Sequence, residues 1–253
     1  MTFAFEGRTA LVTGGASGIG LATVEQLARA GCTVLLNHLP DDPAGPREAA
    51  RLLAAGLKVG TAPGDVSVPG EAEAMVARAI DQLGRLDILV NNAGTPNTRA
   101  PIPPADLDAM TEAFWARILH TNLLGPFRCT RAAAAALRAA KGAVVNTASI
   151  AGLSFVGSSL AYGASKAALI NLTRNLARAL APECRVNAVA PGAVDTPWQA
   201  DWPEERKRAA ADRALLKRMC TAEDIAEEIV FLATTPAPIT GQTLVVDAGL
   251  TLG

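Results

Sequence analysis

RTALVTGGASGIG, residues 8–20, decides the fold. A short β-like run, RTALVT (8–13), passes directly into a turn with glycines at 14, 18 and 20. A helical pattern follows over 18–30, with Ile19, Ala22, Leu27 and Ala30 at helical spacing. Gly14 permits a tight turn, Gly18 lets backbone approach a ligand, and Gly20 lets the helix lie close on the strand. The helix starts inside the turn, so its free N–H groups and positive dipole end face whatever sits there, as a pyrophosphate would. The spacing is G-x-x-x-G-x-G rather than the commoner G-x-G-x-x-G, and taken alone it also fits a plain loop.

The same alternation repeats along the chain. Strand-like runs are TVLLN (33–37), KVGTAP (58–63), LDILVN (86–91), GAVVNTAS (142–149), RVNAVAP (185–191) and QTLVVD (242–247). Between them lie helical patterns at 46–55, 70–83, a long zone at 107–140, 160–181, a polar stretch at 198–217, and 221–234. Seven strands separated by helices of ten or more residues imply parallel pairing, because parallel strands need long crossovers. Runs of Val, Leu and Ile suit strands covered on both faces. The expectation is a doubly wound α/β Rossmann fold: a seven-stranded, mainly parallel sheet with helices on both faces. No linker or repeat divides the 253 residues, so a single domain is expected over 1–253.

Composition narrows the function classes. Half the chain is hydrophobic but only 4% is aromatic, so the core must be built from aliphatic side chains. The net charge of −1 gives no bulk attraction to nucleic acid or anionic membrane. Cys32, Cys129, Cys184 and Cys220 are far apart, with no C-x-x-C and no clustered histidines, which argues against a metal site and a disulfide framework. No run of about 18 apolar residues is present to span a bilayer, and the N-terminal MTFAFEGRTALVTGG lacks a signal-peptide pattern. A reducing, cytoplasmic setting is the simplest expectation.

One more stretch carries chemistry. YGASK, residues 162–166, contains the chain's single tyrosine, four residues before a lysine. On a helix, Tyr162 and Lys166 share a face, as an ordinary amphipathic pair would. TGGASGIG, NNAG (91–94), the asparagine of HTNLLG (Asn122), Ser149, YGASK, PGAVDTP (191–197) and TGQTLVVDAG (240–249) together resemble the single-domain branch of the short-chain dehydrogenase/reductase family. The likeness runs over essentially the whole chain, in the family's order and spacing.

The resemblance implies an oxidoreductase moving a hydride between NAD(P) and a secondary alcohol or ketone. It implies Tyr162 as general acid/base, with Lys166 lowering the phenol pKa and holding the nicotinamide ribose. Ser149, at a strand end, would hydrogen-bond the substrate oxygen; a serine there also fits a turn cap. Asn122 would bend its helix and hold a water behind Lys166, or serve as a core amide satisfied by backbone. For the cofactor, the resemblance implies Gly14, Ser17, Gly18, Ile19 and Gly20 at the phosphates, and Asp65 and Val66 at the adenine. Asn91, Ala93 and Gly94 would line the adenine ribose, and Pro191, Gly192, Val194 and Thr196 the nicotinamide. No metal is implied.

Asn37 and His38, at the tip of the second strand, occupy the place that separates NAD from NADP. Neither is acidic or firmly cationic, and Ala16 and Ser17 stand where NADP-preferring relatives often carry Arg or Lys, so NAD is favoured. Leu153, Phe155, Trp198 and Trp202 are expected at the substrate end, with 194–217 as a lid over an apolar alcohol or ketone. A homotetramer follows from the resemblance of the last strand. A non-redox enzyme on the same scaffold (an epimerase, dehydratase or halohydrin lyase) and a nucleotide-sensing protein without turnover are the competing readings. The intact Asn122, Ser149, Tyr162 and Lys166 set speaks against the last.

Overall fold

The computed structural model describes residues 5–154, 157–199 and 202–252. Its main sheet comprises β1 (Thr9–Val12), β2 (Thr33–His38), β3 (Val59–Pro63), β4 (Ile88–Asn91), β5 (Ala143–Thr147), β6 (Arg185–Pro191) and β9 (Thr243–Val246). The spatial order is β3-β2-β1-β4-β5-β6-β9. Every pairing is parallel, with Val12 opposite Leu36 on one side and Val90 on the other. The helices are α1 (Gly18–Arg29), α2 (Ala44–Ala54), α3 (Glu71–Leu83), α4 (Glu112–Leu119), α5 (Gly125–Ala140), α6 (Leu160–Leu180), α7 (Glu204–Arg213) and α8 (Ala222–Thr234).

Strand alternation divides the apolar residues between two layers. Val12, Leu36, Val90 and Val145 join a core with Val24 and Leu27 of α1 and Ile225 and Ile229 of α8. Their neighbours Leu11, Leu35, Leu89 and Val144 face the other way, onto Met75 and Val76 of α3, Leu137 of α5 and Leu176 and Leu180 of α6. Continuous apolar runs are therefore required, because each strand is buried twice. The chain winds outward from β1 to β3 and then returns to β4 beside β1. That reversal leaves a crevice at the carboxyl ends of β1 and β4, where ligands of such sheets sit.

Two features differ from the sequence expectation. The helical zone at 107–140 is two helices: α4 starts at Glu112, N-capped by the Thr111 side chain, and a π-helical turn at His120–Leu124 separates it from α5. Pro126 has no N–H for the Asn122 carbonyl, and the Gly125 N–H reaches back to the His120 carbonyl instead. The stretch at 198–217 holds a 3₁₀ turn at Pro197–Gln199 before α7. A small parallel pair, β7 (Val194–Asp195) with β8 (Cys220–Thr221), ties the two ends of this excursion together. Strands of two residues carry too little pattern to read beforehand.

Candidate active site

The crevice is a cavity of about 540 Å³ running from the glycine turn to α7. The turn is held by contacts that leave no room for a side chain at Gly14 or Gly20. A Cβ on Gly20 would lie 2.1 Å from the Gly14 carbonyl oxygen and 2.6 Å from Asn92 Nδ2. Gly14 takes φ of 61°, and a Cβ there would lie 2.9 Å from Ala93 Cα. Two amides fix the turn from either side. Asn92 Nδ2 donates to the Gly14 carbonyl at 3.1 Å and the Thr13 carbonyl at 3.2 Å. Asn37 Oδ1 accepts from the Gly14 N–H at 3.2 Å. The first turn of α1 carries no acidic side chain, so nothing offsets its positive end. These features fit the phosphates of a dinucleotide.

Gly14, Ser17, Gly18, Ile19, Asp65, Val66, Ala93, Gly94, Pro191, Gly192, Val194 and Thr196 all line the cavity, as do Ser149, Tyr162, Lys166, Trp198 and Trp202. Gly20 shapes the turn from behind. Three expected positions differ. Asn91 is buried away from the cavity, its Nδ2 donating to Thr130 Oγ1 at 3.0 Å and Asn146 Oδ1 at 2.8 Å. Its neighbour Asn92, which the sequence reading passed over, lines the cavity; adjacent residues at a strand end point to opposite sides.

Asn37 meets the cavity wall, but its Nδ2 donates to the Ala62 and Gly64 carbonyls at 3.0 and 2.8 Å and its Oδ1 is taken by Gly14. It is a brace for the turn, with no free group for a ribose. Leu153 is half-exposed and outside the lining. Phe155 lies outside the described residues. Asn122 is fully buried behind the site. His38 lines the cavity with its ring under Gly45 of α2. Its Nδ1 faces the Leu39 carbonyl at 2.8 Å. Its buried Nε2 has no partner among the described residues.

Tyr162 stands in the first turn of α6, whose N-cap Ser159 accepts from the Tyr162 N–H at 3.1 Å. Small residues in YGASK let α6 press onto the 3₁₀ turn Ile150–Gly152: a Cβ on Gly163 would come within 3.1 Å of the Ala151 carbonyl oxygen. Ser149 caps that turn, accepting from the Ala151 N–H at 3.1 Å, and its hydroxyl also hydrogen-bonds the Tyr162 phenol. Of the two sequence readings of Ser149, the turn cap is the one seen here. Lys166 is 3% exposed, and its ammonium donates to the Thr147 carbonyl at 2.8 Å. The Trp198 ring meets the Tyr162 ring edge-on, with centroids 6.3 Å apart.

Burial governs the electrostatics here. It pushes the Tyr162 phenol up to about 12, opposed by the Ser149 hydrogen bond, and the Lys166 ammonium down to about 8. Burial outweighs the acidification expected from Lys166, whose ammonium lies over the ring face and is itself desolvated. Behind the pair, Asn122 Oδ1 accepts from the Thr95 N–H at 2.8 Å, while its Nδ2 donates to the Thr95 carbonyl at 3.0 Å and Ser165 Oγ at 3.1 Å. Ser165 in turn donates to the Tyr162 carbonyl at 2.7 Å. The π turn thereby links the exit of β4 to the turn of α6 that carries the tyrosine.

A family model described as enoyl-(acyl carrier protein) reductase matches residues 14–251. A Streptomyces violaceoruber protein named as ketoacyl reductase 2 of the granaticin polyketide synthase is 41% identical over 251 residues, 98% of each chain. The cis-4-hydroxycyclohexanecarboxylate dehydrogenase of Sinomonas cyclohexanicum is 38% identical over 252 residues, again 98% of each chain. A solved Burkholderia xenovorans chain named as a short-chain dehydrogenase/reductase superposes with a TM-score of 0.89 at 36% identity, covering 97% of this chain and 98% of its own. With this cavity and these relatives, the chain belongs to the short-chain dehydrogenase/reductase family, an oxidoreductase that transfers a hydride between NAD(P) and an alcohol or ketone.

Proposed function

We propose that the chain is a carbonyl reductase and secondary-alcohol dehydrogenase in which Tyr162 gives and takes the substrate proton. The observation that carries this is the meeting of Ser149, Tyr162 and Lys166 in one cavity with the glycine cradle. A bound nicotinamide supplies or accepts the hydride. The chain's own groups handle the proton and the charge. The Ser149 hydroxyl, already bonded to the phenol, is placed to bond the substrate oxygen as negative charge builds on it. A phenol with a pKa near 12 is neutral at pH 7, so it is poised as a donor to that oxygen when a ketone is reduced. The Lys166 ammonium, fixed by Thr147, supports the loss of that proton electrostatically and is placed for the cofactor ribose. Asn122, through Ser165 and Thr95, positions the tyrosine's helical turn.

The substrate is an alicyclic or aromatic ketone, or its alcohol. Trp198 and Trp202 supply apolar walls, and the Sinomonas relative's name describes a ring secondary alcohol. Residues 194–199 and 202–217 serve as a lid on one catalytic domain, its two ends tied together where β7 pairs with β8. NAD is favoured over NADP. The lining contributed by β1, β2, β3 and the loops after them contains Asp42 and Asp65 and no Lys or Arg, a poor setting for a 2′-phosphate. Edge strand β9, with Val245 41% exposed, is the surface through which copies assemble into a homo-oligomer.

The test is absorbance at the reduced-nicotinamide band while cyclic and aryl ketones are added to protein with NADH or NADPH. Consumption of NADH, faster than of NADPH, is expected. A protein that binds NADH yet oxidises it with no ketone of a broad panel is a nucleotide sensor instead.

A further inference from the structure

We infer that the substrate carries an anionic group, carboxylate or phosphate, which Arg99, Arg117 and Arg206 hold at the open end of the cavity. This rests on the oxidoreductase reading of the same cavity. All three arginines line it. They come from the segment after β4, from α4 and from α7, whereas the lining acids Asp42 and Asp65 follow β2 and β3 on the far side of the sheet. The charge of the cavity is therefore divided, and on its cationic part Arg206 lies over the Trp202 ring.

Among the described residues none of the three arginines pairs with a carboxylate. Two acids of the lid are already engaged: Asp195 and Glu204 lie 3.6 and 3.7 Å from Lys207. Arg206 is not a loose surface cation. Its guanidinium stacks 3.7 Å from the Trp202 ring centroid, and partial burial lowers its pKa without removing its charge. Arg117 sits one turn before Thr121, which lines the same wall. Cations without a carboxylate partner on one cavity favour an anion, which gains charge-assisted hydrogen bonds from them. An apolar wall rimmed by arginines fits a substrate with a hydrocarbon body and an anionic end.

The test compares 4-oxocyclohexanecarboxylate with its methyl ester, and acetoacetyl-CoA with the neutral acetoacetyl-N-acetylcysteamine thioester. Calorimetry runs alongside, measuring cyclohexanecarboxylate and cyclohexanecarboxamide binding to NAD-saturated protein. Wild type is expected to favour at least one anionic member by about tenfold in kcat/KM, less at high salt. A preference within the first pair assigns a carboxylate, and within the second a phosphate. In folded Arg99→Gln/Arg117→Gln/Arg206→Gln protein, or Arg206→Gln alone if the triple variant does not fold, the anion-over-neutral ratio and carboxylate binding should fall together. Equal use of acid and ester, equal use of both thioesters and no carboxylate binding would overturn the proposal, as would a preference that survives the triple substitution. If no ketone is reduced with either cofactor, the oxidoreductase reading has failed, and the calorimetry alone decides the anion site.

Discussion

The Lys166 ammonium stands over the Tyr162 ring, 5.7 Å from its centroid, and gives its hydrogen bond to the Thr147 carbonyl at 2.8 Å. The two groups are close enough to feel each other, but burial outweighs their coupling and moves both pKa values away from the charged forms.

A direction-dependent pH profile follows. Ketone reduction uses the protonated phenol and should be level from pH 6 until Lys166 begins to lose its charge near 8. Alcohol oxidation uses the phenolate and should still be climbing at pH 9. Initial rates in both directions check this, and an oxidation optimum below pH 7 would contradict it.

Lys166→Met should abolish turnover yet raise the melting temperature. The folded pKa lies below the unfolded one, so below about pH 8 a buried charge costs stability, and that cost fades as pH rises towards 10.5. The gain is on the order of 3 kcal/mol at most, less about 1 kcal/mol for the bereft Thr147 carbonyl. Melting curves at pH 7 and pH 10 check this: the gain should be a few degrees at pH 7 and smaller at pH 10.

How much of this was legible beforehand depends on what each residue's role rests on. The glycine turn and YGASK announce themselves because their function is local: a cradle needs glycines in sequence, and a tyrosine and lysine four apart share a helix face. Asn37 and Asn91 were misread because their roles are tertiary. Each looks like a polar residue at a strand's ligand end, but Asn37 is spent on Gly14, Ala62 and Gly64, and Asn91 on Thr130 and Asn146. The π turn was visible only as the bend at Asn122 that the resemblance implied. The arginines of the cavity mouth, from three separate segments, carry no shared spacing at all.

Asn37→Asp tests the first of those corrections. A carboxylate would confront the Ala62 and Gly64 carbonyls that now accept from the amide. Stability should drop by roughly 2–4 kcal/mol, with no sharpening of NADH over NADPH binding. Chemical denaturation and fluorescence titration read the two effects, and a stable, more NAD-selective variant would return Asn37 to the cofactor-reading role.

Gly20→Ala and Gly18→Ala should part company. At Gly20 the new methyl meets the Gly14 carbonyl oxygen at 2.1 Å, so the turn must open and cofactor binding be lost. At Gly18 it meets only Thr196 side-chain atoms at 3.5 and 3.6 Å, and the cost is that of φ at 51°, about 1 kcal/mol. Calorimetric titration with NADH on both variants separates the cases.

The most direct measurement is single-turnover reduction by Tyr162→Phe with cofactor affinity measured in parallel. The account predicts unchanged NADH binding and a loss of about a hundredfold or more in the chemical step. Full-rate reduction by the phenylalanine variant would contradict it, because the proton would then come from another group.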